Sequence, residues 1–594
     1  MCGIAGIISN NQDDISEHLA AMTERVAHRG PDASAFFYDT HIGLGHRRLA
    51  ILDLRPEGVQ PMTYRERYTI VFNGEIYNYK ELKKELEQQG YTFSTETDTE
   101  VILAAYDLYK EACVERFNGM WAFAIYDAQM KQVFCSRDRY GIKPFYYYST
   151  SELFAFGSEI RQLLPFLSNV NANKKIVLDF LLHGKENDTP ETFFEDITQL
   201  MGGQTLLFDI PSGKKTINTW YHIESGIHSP TDPKDFSTLL EDAIHLCLRS
   251  DVPVGGCLSG GLDSSTVCSI AASLYTGKDT FHTIHAQSIS PQHDESAYAQ
   301  AVATHCGVPL HVTSPSIEEI LRALPTVVRI QEEPFASPSI IMQYFVMQKA
   351  KALGCTVMLD GQGGDELLLG YDRYIVPYLH SLPYRQYPNA IRNIQKHTGL
   401  SLLTIILYWC YFSFPRYQQL RRLRRLPDIE PTLRHKINKK TKKSVSLFSL
   451  QQQELSHQLP HLLRYEDKNA MHFGIETRLP LLDYRLVEHA INLPIQEKIH
   501  DGWTKYILRK TMDKRLPKNI VWRTNKKGFE APIDLLYADQ SYIDGSTELI
   551  QQSVLLDSLF SEPISSHIRI TSPQVWWKLY SVALWEKTFL SKDH

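Results

Sequence analysis

The sequence predicts two domains in succession: a layered α+β domain, then an α/β domain with a parallel, doubly wound sheet and extra helices. Short strand-like runs between polar or glycine-containing turns fill the amino-terminal third of the chain. Further along, predicted strands alternate with predicted helices, and glycine-rich turns follow two of these strands. Because residues 221–234 are polar and contain Gly and Pro, we predict domains at 1–215 and 235–594.

The first domain contains the larger number of predicted strands. Alternating apolar runs predict strands at 2–9, 34–38, 42–46, 68–73, 122–127, 132–136, 145–148 and 153–157. A helix is predicted over Asn78–Gln89, because Gly90 follows it as a C-cap. Apolar residues repeating at helical spacing predict a second helix over Thr99–Tyr109.

The second domain begins with an amphipathic helix predicted over Phe236–Leu248. Strands are predicted at Val252–Leu258, Thr280–Ala286 and Thr356–Asp360, with helices between them. In parallel sheets of this kind, ligands bind beyond the carboxyl ends of the strands. We therefore expect a binding site at the turns that follow residues 258 and 360.

Composition narrows the class of protein. The chain has 594 residues, 43% of them hydrophobic and 22% charged, which is typical of folded globular proteins. A net charge of −6 does not predict a nucleic-acid partner. The nine cysteines include no CxxC pair, which favours a reducing compartment and predicts a cytoplasmic location.

One segment combines an apolar stretch with a basic flank. Residues 402–414 are almost entirely apolar or aromatic, yet too short to span a bilayer. Residues 416–443 carry a net charge of +9, so the rest of the chain carries −15. An interfacial helix would have this pattern, which predicts a weak contact of 402–443 with an anionic surface. A buried helix followed by a solvated basic loop is the favoured alternative.

Cys2 directly follows the initiator methionine. Removal of that methionine would leave a thiol and a free α-amine on the same residue. The amine can then act as the general base for the thiol, as in N-terminal nucleophiles. A lone cysteine at this place would instead be interpreted as a small buried residue.

The surrounding motifs favour the nucleophile. They are RGPD at 29–32, GHRRL at 45–49, QPM at 60–62, NGEIYN at 73–78, TDTE at 97–100 and RDRYG at 137–141. In this order they resemble the glutaminase domain of class II glutamine amidotransferases, which implies the layered αββα N-terminal-nucleophile fold. The resemblance implies that Cys2 attacks glutamine and that Asn73 and Gly74 form the oxyanion hole. It also implies that Arg48 binds the α-carboxylate of glutamine, Asp98 its α-ammonium, and that Glu75 lies in the binding motif.

A glycine-rich loop follows the strand that ends at Leu258. The residues Leu258, Ser259, Gly260, Gly261, Leu262, Asp263, Ser264 and Ser265 connect this strand to a helix, where backbone N–H groups can bind an anion. No Gly-Lys-Ser/Thr follows, so this is not a Walker A loop. The loop resembles the pyrophosphate loop of N-type ATP pyrophosphatases.

Together the two halves resemble the glutamine-hydrolysing asparagine synthetase family. The resemblance implies ATP as cosubstrate, a carboxylate activated as its acyl-adenylate, ammonia passed between sites, and a homodimer. It assigns ATP binding to the loop residues and to Asp360 and Gly361, magnesium to Asp263 and Asp365, and charge stabilisation to Lys505. Asp294 and Glu295 match a pattern near the nucleotide, although an acidic helix start explains them nearly as well. Residues 465–469, 475–483 and 525–529 are interpreted as scaffold and tunnel wall.

The turn at 360–366 departs from the family pattern. Gln362 stands where the family has a Glu that is thought to remove a proton from the attacking nitrogen, and an amide cannot accept that proton. Gln362 and Glu366 are therefore the acceptor-site candidates. The acceptor stays open between aspartate, the family default, and another carboxylate such as a sugar acid, which the departure slightly favours. A binding protein without activity is the rival class, and the intact Cys2, Asn73, Asp98, Asp263 and Asp365 argue against it.

Overall fold

The computed structural model of the chain describes most of its length. The described residues are 2–9, 15–223, 231–291, 293–413, 430, 433, 446–524, 533–564 and 572–591. Most of the basic segment 416–443 and the motif at 525–529 lie outside them. None of the described helices combines the length and the apolar character needed to cross a membrane.

Two six-stranded antiparallel sheets form the amino-terminal part of the structure. The strands are β1 (Gly3–Ser9), β2 (Ala33–Asp39), β3 (Ile42–Arg48), β4 (Met62–Tyr64), β5 (Tyr68–Ile76), β6 (Gly119–Asp127), β7 (Gln132–Arg137), β8 (Tyr146–Ser149), β9 (Leu153–Gly157), β10 (Thr198–Gln199), β11 (Gln204–Asp209) and β12 (Lys214–Thr219). One sheet has the order β10-β8-β9-β1-β3-β2 and the other β12-β11-β7-β6-β5-β4. β5, which lies next to the edge strand β4, carries Asn73, Gly74 and Glu75 of the predicted glutamine site, and Cys2 directly precedes β1 in the interior of the other sheet.

Helices cover the outer faces of these two sheets. They are α1 (Ile15–Arg25), α2 (Tyr79–Gln88), α3 (Asp98–Tyr109), α4 (Cys113–Arg116) and α5 (Lys174–His183). α1 packs on β1 and β3, whereas α3 packs on β5. Apolar side chains from both sheets, including Ile4, Val71 and Phe156, fill the space between them. The result is the predicted layered αββα arrangement.

A five-stranded parallel sheet organises the carboxyl-terminal part, in the order β15-β14-β13-β16-β17. Its strands are β13 (Val254–Cys257), β14 (Thr283–Ala286), β15 (Leu310–Thr313), β16 (Val357–Leu359) and β17 (Glu476–Arg478). The three predicted strands are present, and the sequence analysis missed the two edge strands. A short hairpin, β18 (Ile499–His500) and β19 (Trp503–Thr504), lies apart from this sheet.

Helices pack on both faces of the parallel sheet, and further helices between residues 375 and 413 pack around a separate apolar core. They are α6 (Asp235–Cys247), α7 (Leu262–Leu274), α8 (Ser296–Cys306), α9 (Ile317–Gln331), α10 (Ser339–Ala352), α11 (Gly364–Leu367), α12 (Ile375–Ser381), α13 (Tyr387–Thr398), α14 (Leu402–Ser413), α15 (Leu447–Gln453), α16 (Leu459–His472), α17 (Tyr484–Asn492), α18 (Ile495–Lys498), α19 (Tyr506–Met512), α20 (Lys518–Val521), α21 (Ile533–Ala538), α22 (Gln540–Gln551), α23 (Val554–Asp557) and α24 (Pro573–Phe589). This is the doubly wound arrangement that the alternating pattern predicts.

Candidate active sites

Cys2 directly precedes β1 and is almost fully buried. Its backbone nitrogen donates a hydrogen bond to Asn73 Oδ1 over 3.1 Å. This contact fixes the orientation of the Asn73 amide, whose Nδ2 is buried and has no hydrogen-bond partner among the described residues. The free Nδ2 donor therefore suits an oxyanion beside the thiol.

Gly74 allows close approach of two strands at this point. A Cβ on Gly74 would lie 2.1 Å from the Met120 carbonyl oxygen and 2.7 Å from the Trp121 Cα of the neighbouring strand β6. A side chain would therefore separate β5 from β6 beside the cysteine. Asn73 and Gly74, the two predicted oxyanion-hole residues, therefore lie where β5 pairs closely with β6.

Arg48 and Asp98 also line the cavity that contains Cys2. The Arg48 guanidinium donates hydrogen bonds to the carbonyl oxygens of Arg55 and Asp53 over 2.9 and 2.6 Å, so it also holds the loop above the cavity. The Asp98 carboxylate accepts a hydrogen bond from the Ile76 N–H over 2.9 Å. The Arg48 guanidinium keeps further N–H donors, and the Asp98 carboxylate keeps further acceptor positions, that can bind an amino acid.

Burial changes the ionisation of the acids around this cavity. Burial raises the pKa of Asp98 to about 6. Burial also raises the pKa of Glu75 well above its usual range, although the positive charge of Arg478 opposes the shift. The pKa of the Cys2 thiol is raised by burial, while the terminal amine and Arg48 act to lower it. The thiol thus needs a base, which its own amine can supply.

The predicted phosphate loop joins β13 to α7. Ser259 Oγ and Ser264 Oγ lie 2.8 Å apart, and the Gly261 N–H donates to Ser259 Oγ over 3.2 Å. Gly260 has a φ of +81° and would place a Cβ 2.7 Å from the Ala299 nitrogen, so both conformation and space require glycine. The loop is held open at the start of a 13-residue helix, where an anion is stabilised.

Two carboxylates meet at Lys505. Its ammonium forms an ion pair with Asp263 and lies 2.6 Å from Asp365 Oδ1. Asp263 Oδ1 is buried without a hydrogen-bond partner among the described residues. Oxygen ligands converging on a cation are the donor set that Mg²⁺ prefers, so these residues fit magnesium. The described residues contain no cluster of three or more His, Cys, Asp or Glu side chains arranged to hold a metal by themselves.

The turn after β16 lies directly against the phosphate loop. A Cβ on Gly361 would lie 2.7 Å from the Ser264 nitrogen, and one on Gly364 would lie 2.7 Å from Asp263 Oδ1. Burial raises the pKa of Asp360 to about 6, while hydrogen bonds from Cys257 and from backbone N–H groups of the turn act to lower it. The two acceptor-site candidates differ in exposure: Gln362 is partly exposed, whereas Glu366 is buried.

A buried network of charges connects the start of the chain at Cys2 with helix α16. Arg29 Nε donates to the Cys2 carbonyl oxygen over 3.2 Å, and its Nη1 lies 2.9 Å from Asp467 Oδ2 on α16. Asp467 also accepts from Lys143 Nζ over 3.3 Å. Sequence analysis did not single out Lys143, and treated Asp467 only as part of a scaffold motif. The signal that could have identified Asp467 is its position in a run of polar residues on a helix that is otherwise packed against its neighbours.

A second connection involves Glu75 and the edge strand β17. Arg478 Nη2 lies 3.2 Å from Glu75 Oε2, and its Nε lies 2.5 Å from Glu476 Oε1. The Arg478 carbonyl accepts the Asp360 N–H over 3.0 Å. β17 therefore contacts the glutamine cavity with a side chain and the phosphate-side turn with its backbone.

The predicted site residues thus fall into two groups. Cys2, Arg48, Gly74, Glu75 and Asp98 line one cavity, with Asn73 bonded to Cys2. Lys505 and the residues of the two glycine-rich turns form the other. Asp294 accepts the Ser296 N–H over 2.9 Å just before α8, and Glu295 forms an ion pair with Arg523.

Comparison with known proteins matches both parts of the chain. Residues 1–221 match the model of the glutamine amidotransferase domain family, and residues 235–585 match that of asparagine synthase. The chain belongs to the asparagine synthase family. The predicted family and the predicted class, a glutamine-dependent carbon–nitrogen ligase that uses ATP, are thereby confirmed.

Among the relatives of this asparagine synthase family member are two from Bacillus subtilis (strain 168). Asparagine synthetase [glutamine-hydrolyzing] 1 is 31% identical over 90% of this chain and 87% of its own length. Asparagine synthetase [glutamine-hydrolyzing] 3 is 31% identical over 88% of this chain and 86% of its own length. The similarity therefore extends through both halves of the chain.

Proposed function

We propose that the protein makes asparagine from aspartate, glutamine and ATP, releasing glutamate, AMP and pyrophosphate. Residues 1–215 form the glutaminase unit and residues 235–594 the synthetase unit in this proposal. The observation that carries it is the presence of two clusters in one chain of this family. In the first, the Cys2 nitrogen is hydrogen-bonded to Asn73, and in the second, Asp263 and Asp365 both pair with Lys505.

In the glutaminase unit, the Cys2 sulfur attacks the side-chain amide of glutamine after its α-amine removes the thiol proton. Asn73 Nδ2 and the Gly74 N–H stabilise the negative oxygen of the tetrahedral intermediate. Arg48 binds the α-carboxylate and Asp98 the α-ammonium of glutamine, while Glu75 completes the binding motif. The intermediate collapses to a thioester on Cys2 as its C–N bond breaks, and the nitrogen takes the proton held by the α-amine and leaves as ammonia for the second site. Water then hydrolyses the thioester and releases glutamate.

In the synthetase unit, the loop from Leu258 to Ser265 holds the phosphates of ATP, and Asp360 and Gly361 contribute from the facing turn. Asp263 and Asp365 would hold Mg²⁺, which supplies charge neutralisation on the pyrophosphate that departs. Lys505 stabilises the charge that develops as the carboxylate attacks the α-phosphorus. Gln362 and Glu366 lie on the acceptor side of this site.

Aspartate is the acceptor that the relatives support. The two full-length relatives described above are both named asparagine synthetases. These comparisons do not favour the alternative acceptor, which was suggested by the presence of Gln362 where the family has a Glu. The exchange still requires another group to accept the proton from the attacking nitrogen.

We propose that the enzyme is located in the cytoplasm and forms a homodimer. Its substrates are small molecules, and we expect no nucleic-acid partner. The segment 402–443 would make a weak contact with an anionic surface. In the described part of the structure, Leu403 and Leu407 of α14 are 67% and 58% exposed, whereas Ile405 is buried, so α14 presents an apolar face.

The proposed function is tested with purified protein, ATP, magnesium, glutamine and aspartate, with asparagine, AMP and pyrophosphate measured together. We expect equal amounts of the three products. The Cys2→Ala variant should use ammonia but not glutamine. Glutamine hydrolysis without aspartate-dependent AMP formation, or amide formed only on a different carboxylate, would contradict the proposal.

A further inference from the structure

A cavity of about 270 Å³ lies between the amino-terminal part of the chain and helix α16. Arg137, at the end of β7, and Arg139, in the loop that follows, line it from the amino-terminal part. Arg464 and Lys468 line it from α16. None of the residues that line this cavity belongs to the cavity around Cys2, to the phosphate loop or to the turn at 360–366. The proposed function therefore gives it no role.

Most of the charged side chains around this cavity already have a partner of opposite charge. The ion pairs are Asp467 with Arg29 and Lys143, Asp188 with Lys185, Arg464 with Glu186 and Glu333, and Lys468 with Glu332. Arg137 and Arg139 differ from these, because neither forms an ion pair with any of the described residues. The cavity thus has two positive charges that no paired carboxylate balances.

Uncharged groups hold both of these arginines in place. Arg137 donates hydrogen bonds to backbone carbonyl oxygens of its own loop, and Arg139 donates to those of Phe117 and Glu115 over 2.6 and 3.0 Å. Asp138 lies between them in the sequence, but its carboxylate accepts hydrogen bonds from backbone N–H groups of the same loop. Burial lowers the pKa of Arg137, which is the direction expected for a cation whose charge is not fully balanced.

Arg139 is fixed in orientation and keeps a free donor. Its guanidinium lies over the rings of Tyr484 and Trp220, with Cζ 4.0 and 4.9 Å from their centroids, and such contacts stabilise a cation. The residue is 9% exposed, and its Nε has no hydrogen-bond partner among the described residues. The Nε of Arg464, which also lines the cavity, is buried and unpartnered in the same way. Buried donors of this kind cost free energy unless another group accepts from them.

An anion would satisfy both the charge and the donors of this cavity. The planar guanidinium group binds two oxygen atoms of a carboxylate or a phosphate through parallel N–H groups. Tyr140 and Tyr221 also line the cavity and provide aromatic surface for the rest of a small molecule. We propose that this cavity binds a small organic anion that carries a phosphate or carboxylate group, with Arg139 as its main contact and Arg137 as the second positive charge.

This inference goes beyond the proposed function and does not depend on it, because it concerns binding away from both candidate active sites. The walls of the cavity come from the amino-terminal part and from α16, so a bound anion would be held by both. A ligand that binds only the folded chain stabilises it in proportion to its occupancy. Binding should therefore raise the midpoint of thermal unfolding, and it should weaken as salt screens the charges.

The test uses three probes: inorganic phosphate, glycerol 3-phosphate and succinate. Each is titrated into the full-length protein at constant ionic strength, with heat of binding and thermal unfolding measured. Ser456 lines the cavity and is exposed, so Ser456→Trp should fill the cavity and abolish the binding. Ser456→Ala, which keeps the cavity open, should bind as the wild type does. Binding by the two phosphates alone would identify a phosphate group as the ligand chemistry, and binding by succinate would identify a carboxylate.

A charge variant provides a second measurement that does not depend on filling the cavity. His222 also lines it and is exposed. At pH 8 and low salt, His222→Glu should weaken binding by about fivefold, the effect of one like charge about 4 Å away in water. His222→Gln should bind as the wild type does.

Two results would overturn the inference. One is the absence of binding by all three probes in the wild type at 10 mM, a concentration chosen to detect weak sites. The other is binding that is unchanged in His222→Glu and in Ser456→Trp, which would place the anion elsewhere, for example at the phosphate loop. Failure of the wild type to make asparagine would refute the proposed function and leave this inference unaffected.

Discussion

Arg29 Nη1 lies 2.9 Å from Asp467 Oδ2, and the same guanidinium donates through Nε to the Cys2 carbonyl. Both charged side chains are fully or almost fully buried. Although burial opposes it, the positive charges of Arg29 and Lys143 hold the pKa of Asp467 below its usual range. The backbone of Cys2 is therefore two hydrogen bonds from helix α16, which itself packs against β17.

Loss of this ion pair should weaken both stability and coupling. In Arg29→Gln, Asp467 keeps Lys143 but loses its closest cation, and breaking a buried pair costs about 3–5 kcal/mol. We expect chemical denaturation to show a loss of this size. The ratio of glutamate to asparagine produced should increase, because helix α16 is less firmly held between the sites. Arg67→Gln, which breaks a partly exposed pair with Asp127, should cost at most about 1 kcal/mol and leave the ratio unchanged.

Asn73→Ala should lower the kcat for glutamine hydrolysis by about 10²–10³-fold, because it removes an oxyanion donor that acts in the transition state. The KM for glutamine should change little, and synthesis from ammonia should persist. Asn78 belongs to the same motif but donates to the Arg116 carbonyl. Asn78→Ala is therefore the control, and an equal loss in both variants would contradict the role of Asn73.

These site residues could be predicted from the sequence because their chemistry depends on short contiguous motifs. Asn73 and Gly74 are consecutive on β5 and meet Cys2 where the two sheets pack together, and the phosphate loop is a local strand–helix turn. Asp467 and Lys143 could not be assigned in this way. Their roles depend on burial and on charges supplied by distant elements, which single-residue patterns do not reveal.

The same reason explains the elements that the sequence analysis missed. Strand β17 has only three residues, Glu476–Arg478, and all are charged or polar. Such a run has no apolar alternation to indicate a strand. It is stable there because Glu476 and Arg478 pair with each other and because Arg478 also reaches Glu75.

Asp263→Asn and Asp365→Asn should each abolish aspartate-dependent release of pyrophosphate, because each removes a charge from the proposed magnesium site. Chelation of divalent cations from the wild-type enzyme should have the same effect. Glutamine hydrolysis should continue in all three cases, since Cys2 lies in a separate cavity. Normal pyrophosphate release in both variants would show that magnesium is held elsewhere.

Binding of glutamine should weaken in mild acid. Since burial raises the pKa of Asp98 to about 6, this carboxylate becomes protonated below that pH and loses its attraction for the α-ammonium. The KM for glutamine should then increase about tenfold per pH unit well below pH 6. Asp98→Asn should have a high KM that is independent of pH, whereas Asp127→Asn, at the far end of β6, should retain the wild-type profile.

Contact with an anionic surface is tested by co-sedimentation with vesicles that contain phosphatidylserine. If the segment 402–443 binds such vesicles, binding should occur at low salt and decrease at high salt. Leu403→Glu/Leu407→Glu should abolish it, because both side chains are on the exposed face of α14. Absence of binding by the wild type at low salt would favour a solvated basic loop.

Helix α16 places consecutive residues toward different partners: Glu466 toward Gln343 of α10, and Asp467 toward Arg29 and Lys143. Consecutive positions on a helix are separated by about 100° of rotation. Insertion or deletion of a single residue upstream in α16 would therefore turn the wrong side chain to each partner at once. We therefore expect the protein to tolerate insertions and deletions in surface loops but not within α16.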